Sequence, residues 1–160
     1  MTPLERVKHF LNTLPFPLKI ILFDECTRTS VLAAQALGVE VGQIAKTLVF
    51  KGKNNGDETT QGVIVVTSGD VKVDTKKLKQ LVGFRTRFAD GDEALALTGF
   101  PPGGVCPFGL PKELPVYIDL SMKRFPVVYA AAGTDNSAVP VTVDQLLAAT
   151  GGALCDVCCL

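Results

Sequence analysis

His9 is the single histidine among 160 residues, so a Ser–His–Asp or Cys–His mechanism would have to be built on it. Its place on an amphipathic N-terminal segment favours a solvated surface histidine instead. No HExxH and no acidic cluster supplies ligands for metal-assisted hydrolysis. Chemistry in this chain must come from lysine, backbone groups, bound water or the substrate's own groups.

The richest stretch for such chemistry is Thr98-Gly-Phe-Pro-Pro-Gly-Gly-Val-Cys-Pro-Phe-Gly109. Paired Gly103 and Gly104 let backbone N–H groups come close to a ligand, and the prolines stiffen the loop. A rigid concavity of N–H groups suits a carbonyl oxygen that turns negative during acyl transfer; a structural surface loop is the plainer alternative. Lys46 heads the otherwise apolar run Ile44–Phe50, either as an edge charge reaching for water or as a cation inside a cleft. Gly133, Thr134, Asp135, Asn136 and Ser137 offer small and hydrogen-bonding groups after an alanine run, and an ordinary polar turn uses the same residue types. Lys72, Lys76, Lys77, Lys79, Arg85 and Arg87 form the one dense basic stretch, suited to phosphates or to a solvated helix face. Cys155, Cys158 and Cys159 make a CxxCC tail. No second CxxC or histidine pair completes a zinc set, so we expect no metal and a frayed tail of reactive thiols.

These residues need elements to hold them. Thr2 and Glu5 form a capping box with Pro3 at the first helical position, predicting a helix to about Leu14, stopped by Pro15 and Pro17. Strands are expected at Leu18–Phe23, Ile44–Lys51, Gly62–Ser68, Phe84–Phe88, Pro115–Asp119 and Pro126–Ala131. Helices are expected at Ser30–Leu37 after Thr29, Thr75–Val82 after Asp74, Gly91–Leu97 after Asp90, and Val143–Ala149 after Thr142. A long mobile loop should join the hairpin across Gly52–Gln61, and Thr98–Pro111 cannot be regular structure. Hairpins mixed with helices predict an α/β chain of the α+β type, with a mixed, largely antiparallel sheet flanked by helices. No GxGxxG or P-loop pattern suggests a dinucleotide or nucleotide site.

The length fits one domain, 1–160, with a core over about 15–152 and a tail at 153–160. Composition is 47% hydrophobic and 20% charged, which excludes wholesale disorder. Lys+Arg and Asp+Glu both total 16, so an RNA partner would be met by a local patch rather than by global charge. Neither a membrane span nor an apolar signal core is evident, and the odd cysteine number argues against a disulfide framework; a cytoplasmic setting follows.

Taken in order, several segments resemble the YbaK/ProX family, whose fold also occurs as the editing insertion of bacterial prolyl-tRNA synthetases. They are Thr29-Ser30-x-x-Ala33-Ala34-x-x-Leu37-Gly38-Val39, the run Ile44–Phe50 with Lys46, and Ser68-Gly69-Asp70-Val71. The glycine loop from Thr98 to Gly109 and the Ala132-Gly133 loop complete the set. The resemblance implies a strongly curved mixed sheet and removal of a wrong amino acid, often a small one, from tRNA-Pro. It places Lys46 in the site, Gly103 and Gly104 as the oxyanion donors, and Gly133–Ser137 as a third wall. It further implies substrate contacts from Thr29, Phe100, Val105, Cys106 and Pro107, with Cys106 on the pocket floor rather than acting as a nucleophile. Lys72, Lys76, Lys77 and Lys79 would meet the tRNA. Water would attack the ester with no cofactor. The partner would be a mischarged tRNA, with prolyl-tRNA synthetase or another translation factor as a further partner; homodimerisation is compatible with the sequence though no motif requires it. Two other readings stay open: a catalytically weak tRNA- or synthetase-binding module of the same fold, and a small-molecule esterase unrelated to tRNA.

Overall fold

The computed structural model describes residues 1–53, 60–111 and 114–159. Helix α1 (Pro3–Leu11) starts at the Thr2/Glu5 capping box, with both reciprocal hydrogen bonds made. It ends three residues before the expected Leu14, at the Asn12 cap, because Pro15 pulls the residues before it out of helical geometry. Strand β1 shrinks to Ile21–Leu22. Helix α2 (Ser30–Leu37) is capped by Thr29 and closed by Gly38 at φ +70°. Strands β2 (Ile44–Lys53) and β3 (Thr60–Ser68) pair antiparallel out to Lys53 and Thr60. They thus consume both ends of the loop expected at Gly52–Gln61; its remainder, 54–59, lies outside the described residues.

Strand β4 (Lys72–Val73), helix α3 (Thr75–Val82), strand β5 (Thr86–Phe88) and helix α4 (Gly91–Thr98) follow. Asp74 and Asp90 cap the two helices as their sequence position predicts. After the glycine loop come β6 (Val116–Asp119), a 3-10 turn, β7 (Val128–Ala130), β8 (Ser137–Val141) and helix α5 (Val143–Thr150). The chain then adds β9 (Ala153–Cys155) and β10 (Cys158–Cys159).

One mixed sheet runs β1-β8-β7-β2-β3-β6-β9, with β5 also on β2. Most of its pairs are antiparallel; β2–β7, β3–β6 and β6–β9 are parallel. Strand β8 was not among the expected strands; it carries Pro140, a residue that sheets tolerate at an open edge. Strand β1 reaches only Ser137 and Ala138 of β8, so beside Pro140 that edge is open and the missing N–H costs no ladder bond.

The tail corrects another expectation. It is ordered: β9 joins the sheet beside β6, β10 pairs with β4, and Cys155 and Val157 are buried. Buried side chains therefore extend past 15–152 at both ends, Val7 and Leu11 included. One face of the sheet, with Ile64 and Val66, packs against Val7 and Leu11 of α1, Leu146 of α5, and Phe100 and Phe108 of the glycine loop. The other, with Phe50, Val63 and Val65, packs against Leu78 of α3 and against Cys155 and Val157 of the tail. No helix among the described residues is long and apolar enough to cross a membrane.

Candidate functional site

Strand β2 has a divided edge. β7 pairs with it at Ile44 and Ala45, and β5 at Phe50–Gly52. Between them Lys46–Leu48 pair with β3 alone, which leaves a notch in the sheet. A cavity of about 330 Å³ opens there. Its base is Ile44–Leu48, and Ser30, Ala33 and Leu37 of α2 close one side. Gly103 and Val105 of the glycine loop face it, together with Ala130, Ala131, Ser137 and Ala138. Five alanines and Gly103 are among the lining residues, beside larger side chains such as Arg28, Leu37 and Tyr129, and a space of this size suits a small group.

Lys46 is half-buried, and its Nζ donates to the Val71 carbonyl at 2.7 Å. Burial pushes its pKa below the ordinary 10.5, Lys72 adds to the fall, and Asp70 opposes it. The turn that presents the Val71 carbonyl is pinned twice. Arg124 donates two hydrogen bonds to Asp70, at 3.0 and 2.6 Å, and these hold the Asp70 carboxyl below its usual range. On the other side β4 is tied to β10, and the Asp74 N–H donates to the Val157 carbonyl at 2.7 Å.

The glycine loop folds as a reverse turn. The Gly104 N–H donates to the Pro101 carbonyl at 3.0 Å, with Pro102 second and Gly103 third at φ +83°. This is the type II pattern, in which proline fixes the second position and only glycine readily takes the third. The Gly104 N–H, expected as the second oxyanion donor, is committed to the turn and the residue is buried. A Cβ there would lie 2.5 Å from the Gly133 oxygen, so Gly104 instead lets the two loops touch. The N–H groups of Gly103 and Val105, both at the cavity, have no hydrogen-bond partner among the described residues.

The other expected contacts divide into lining and support. Thr29 and Ser137 line the cavity with Lys46, Gly103 and Val105. Phe100 and Cys106 are fully buried behind the loop, and Pro107 lines a separate hollow beside Phe10 and Ala149; none of the three is at the cavity wall. Burial pushes the Cys106 thiol up to about 12. The second loop spends its polar groups on itself. Thr134 donates to Asn136 at 2.8 Å, Asn136 to the Phe23 carbonyl at 3.1 Å, and Ser137 to the Thr134 carbonyl at 3.1 Å. Gly133 is buried, and Asp135 is exposed beside Gly103. Among the lining residues not expected as site residues are Arg28, Ala33, Leu37, Thr47 and Tyr129; for Ala33 the small residues of α2 carried a signal.

Lys72, Lys76 and Lys79 are exposed on the flank that carries Val71, whereas Lys77 reaches the tail at Asp156 (3.5 Å) and the Cys158 carbonyl (3.2 Å). The thiols of Cys155 and Cys158 are pushed up to about 12 by burial and by the nearby Asp119 carboxylate. They are not the reactive thiols expected of a frayed end. Among the described residues no group of three or more His, Cys, Asp or Glu is placed to hold a metal ion.

The sequence pattern of the aminoacyl-tRNA editing domain matches residues 24–149. The chain belongs to the aminoacyl-tRNA editing domain family. It is 42% identical to the uncharacterized protein YwhH of Bacillus subtilis (strain 168), over 78% of this chain and 76% of that protein. It is 34% identical to the multifunctional Ser/Thr-tRNA deacylase ProXp-y of Escherichia coli (strain K12), over 68% of this chain and 66% of the other. A crystal structure described as a candidate trans-editing enzyme for prolyl tRNA synthetase superposes with TM-score 0.86 at 38% identity, covering 98% of this chain and 97% of that one.

Proposed function

We propose that the protein is a trans-editing deacylase, hydrolysing the 3′ ester of mischarged aminoacyl-tRNA, with tRNA-Pro carrying a small amino acid as the substrate class. The observation that carries this reading is that Lys46, Gly103 and Val105 line one small cavity together. The aminoacyl group enters the notch, and its carbonyl oxygen turns toward the N–H groups of Gly103 and Val105. Those dipoles are held in place before reaction and stabilise the tetrahedral oxyanion. Lys46 spends one of its three donors on Val71 and uses the others to anchor the terminal nucleotide or the ester. Water attacks the carbonyl, and no side-chain nucleophile is required. Lys72, Lys76 and Lys79 form a flank for the tRNA backbone, whose contacts make binding salt-dependent. Selectivity rests on cavity volume, which separates small side chains modestly.

The deciding experiment is deacylation of Ala-, Cys- and Ser-tRNA-Pro by wild type and Lys46→Ala. Release of one amino acid by wild type, slowed about 100-fold or more in the variant, supports the reading. Binding of tRNA without hydrolysis of any member would make the protein a binding module instead.

A further inference from the structure

Helix α1 lies outside the segment that matches the editing family, yet it touches both loops of the cleft. The Arg6 guanidinium stacks over the Phe100 ring, 4.0 Å from its centroid, and one Nη donates to the Thr98 carbonyl. The other Nη occupies the space that a side chain at position 99 would need, and Gly99 sits at φ +78°. No carboxylate pairs with Arg6 among the described residues, and its Nε is buried without a partner. The guanidinium is thus held by the loop's base alone. On the second loop, a Cβ at Gly133 would lie 2.9 Å from the Pro3 carbonyl oxygen and 3.2 Å from the Phe100 ring.

We infer that Arg6 is a positioning residue for the deacylation site. The turn that presents Gly103 begins at Pro101, directly after Phe100. Fixing Thr98 and Phe100 from below therefore fixes where the Gly103 and Val105 N–H groups point. The planar guanidinium is suited to this because it donates in its plane and stacks with its face; a lysine does one of these at a time. Arg6 is not itself among the residues lining the cavity and acts through the loop. This inference rests on the reading of the Gly103–Val105 backbone as the oxyanion site.

The test compares wild type, Arg6→Lys, Arg6→Ala and, as a control on the exposed side of the same helix, Lys8→Ala. Two readouts are taken: deacylation kinetics, and hydrogen exchange of the loop amides against the β3 amides of Ile64–Val66. Arg6→Lys should lower the maximal rate about tenfold with half-saturation within about twofold, since donor misplacement weakens the transition state more than binding. Exchange at Gly103 and Val105 should quicken while β3 and the Lys8→Ala protein match wild type. Wild-type rates in both Arg6 variants would overturn the inference, as would rate losses accompanied by equally faster exchange in β3. If wild type deacylates nothing, the functional reading fails by itself, and unchanged loop exchange in Arg6→Lys still overturns the clamp.

Discussion

The Lys46 ammonium donates to the Val71 carbonyl at 2.7 Å, so this cavity lysine is aimed by a backbone group 25 residues further along the chain. That carbonyl sits between two latches: the Arg124–Asp70 pair and the β4–β10 ladder. Lysine is a flexible anchor by itself; here its direction is set by the turn it is tied to.

The first prediction concerns pH. Burial disfavours the charged form of Lys46, so its proton leaves below the ordinary 10.5. The unfolded chain then binds more protons than the fold between the lowered value and 10.5, and stability rises with pH across that window. An activity that needs the ammonium does the opposite and declines along an alkaline limb below 10.5. Background-corrected single-turnover rates should show this limb in wild type and lose it in Lys46→Arg, whose group stays charged. A limb that persists unchanged in Lys46→Arg would assign it to another group.

Adjacent glycines should behave differently. Gly104→Ala brings a Cβ 2.5 Å from backbone at Gly133, which cannot yield without moving a loop. Gly103→Ala meets the Arg28 Cγ at 2.9 Å, a side chain free to swing, and mainly meets the positive φ, worth about 1–2 kcal/mol. Deacylation should therefore fall further in Gly104→Ala than in Gly103→Ala, although the Gly104 amide contacts no substrate. Equal losses would mean that the two loops do not depend on each other.

The tail should matter for the site. Asp119, 2% exposed, accepts from the N–H groups of Ser121 and Val157, both at 2.9 Å. Asp119→Ala strands the buried Val157 donor, costing about 1–3 kcal/mol where water cannot reach, leaves the half-buried Ser121 donor to solvent, and frees the strand that steadies Val71. Urea unfolding should shift to a lower midpoint, and kcat should drop as well. A lower midpoint with unchanged kcat would confine the tail to a stabilising role.

Thiol labelling gives an independent check of the same region. Cys26 and Cys159 are exposed, whereas Cys106 and Cys155 are buried, and the thiols of Cys106, Cys155 and Cys158 are pushed up to about 12. A thiol-reactive dye at mildly alkaline pH should modify Cys26 and Cys159 quickly and the other three only as the protein opens. Rapid modification at Cys155, read by peptide mass mapping, would mean the tail detaches in solution.

Much of the local structure was readable from residue order. Capping boxes at Thr2, Asp90 and Thr142 fixed three helix starts, because their reciprocal hydrogen bonds are made within four residues. Pro-Pro-Gly-Gly contained its own turn, since proline's φ and glycine's freedom at the next position are local properties. Lys46 and the glycine loop were recognisable as chemistry by residue type. What residue order did not contain was anything set by long-range pairing. β8 carries Pro140 and the tail strands are only two or three residues long, so neither reveals itself without the neighbours it pairs with. The division of one β2 edge between β5 and β7 opens the notch, and it follows from two pairings far apart in the chain. Whether a glycine amide faces the cavity or closes a turn is likewise decided by where the Pro101 carbonyl lies. So is the difference between a cysteine on a wall and one behind it. The sequence by itself determined which groups were available for chemistry; only the tertiary structure decided which of them face the cavity, because that depends on contacts between segments the chain brings together only on folding.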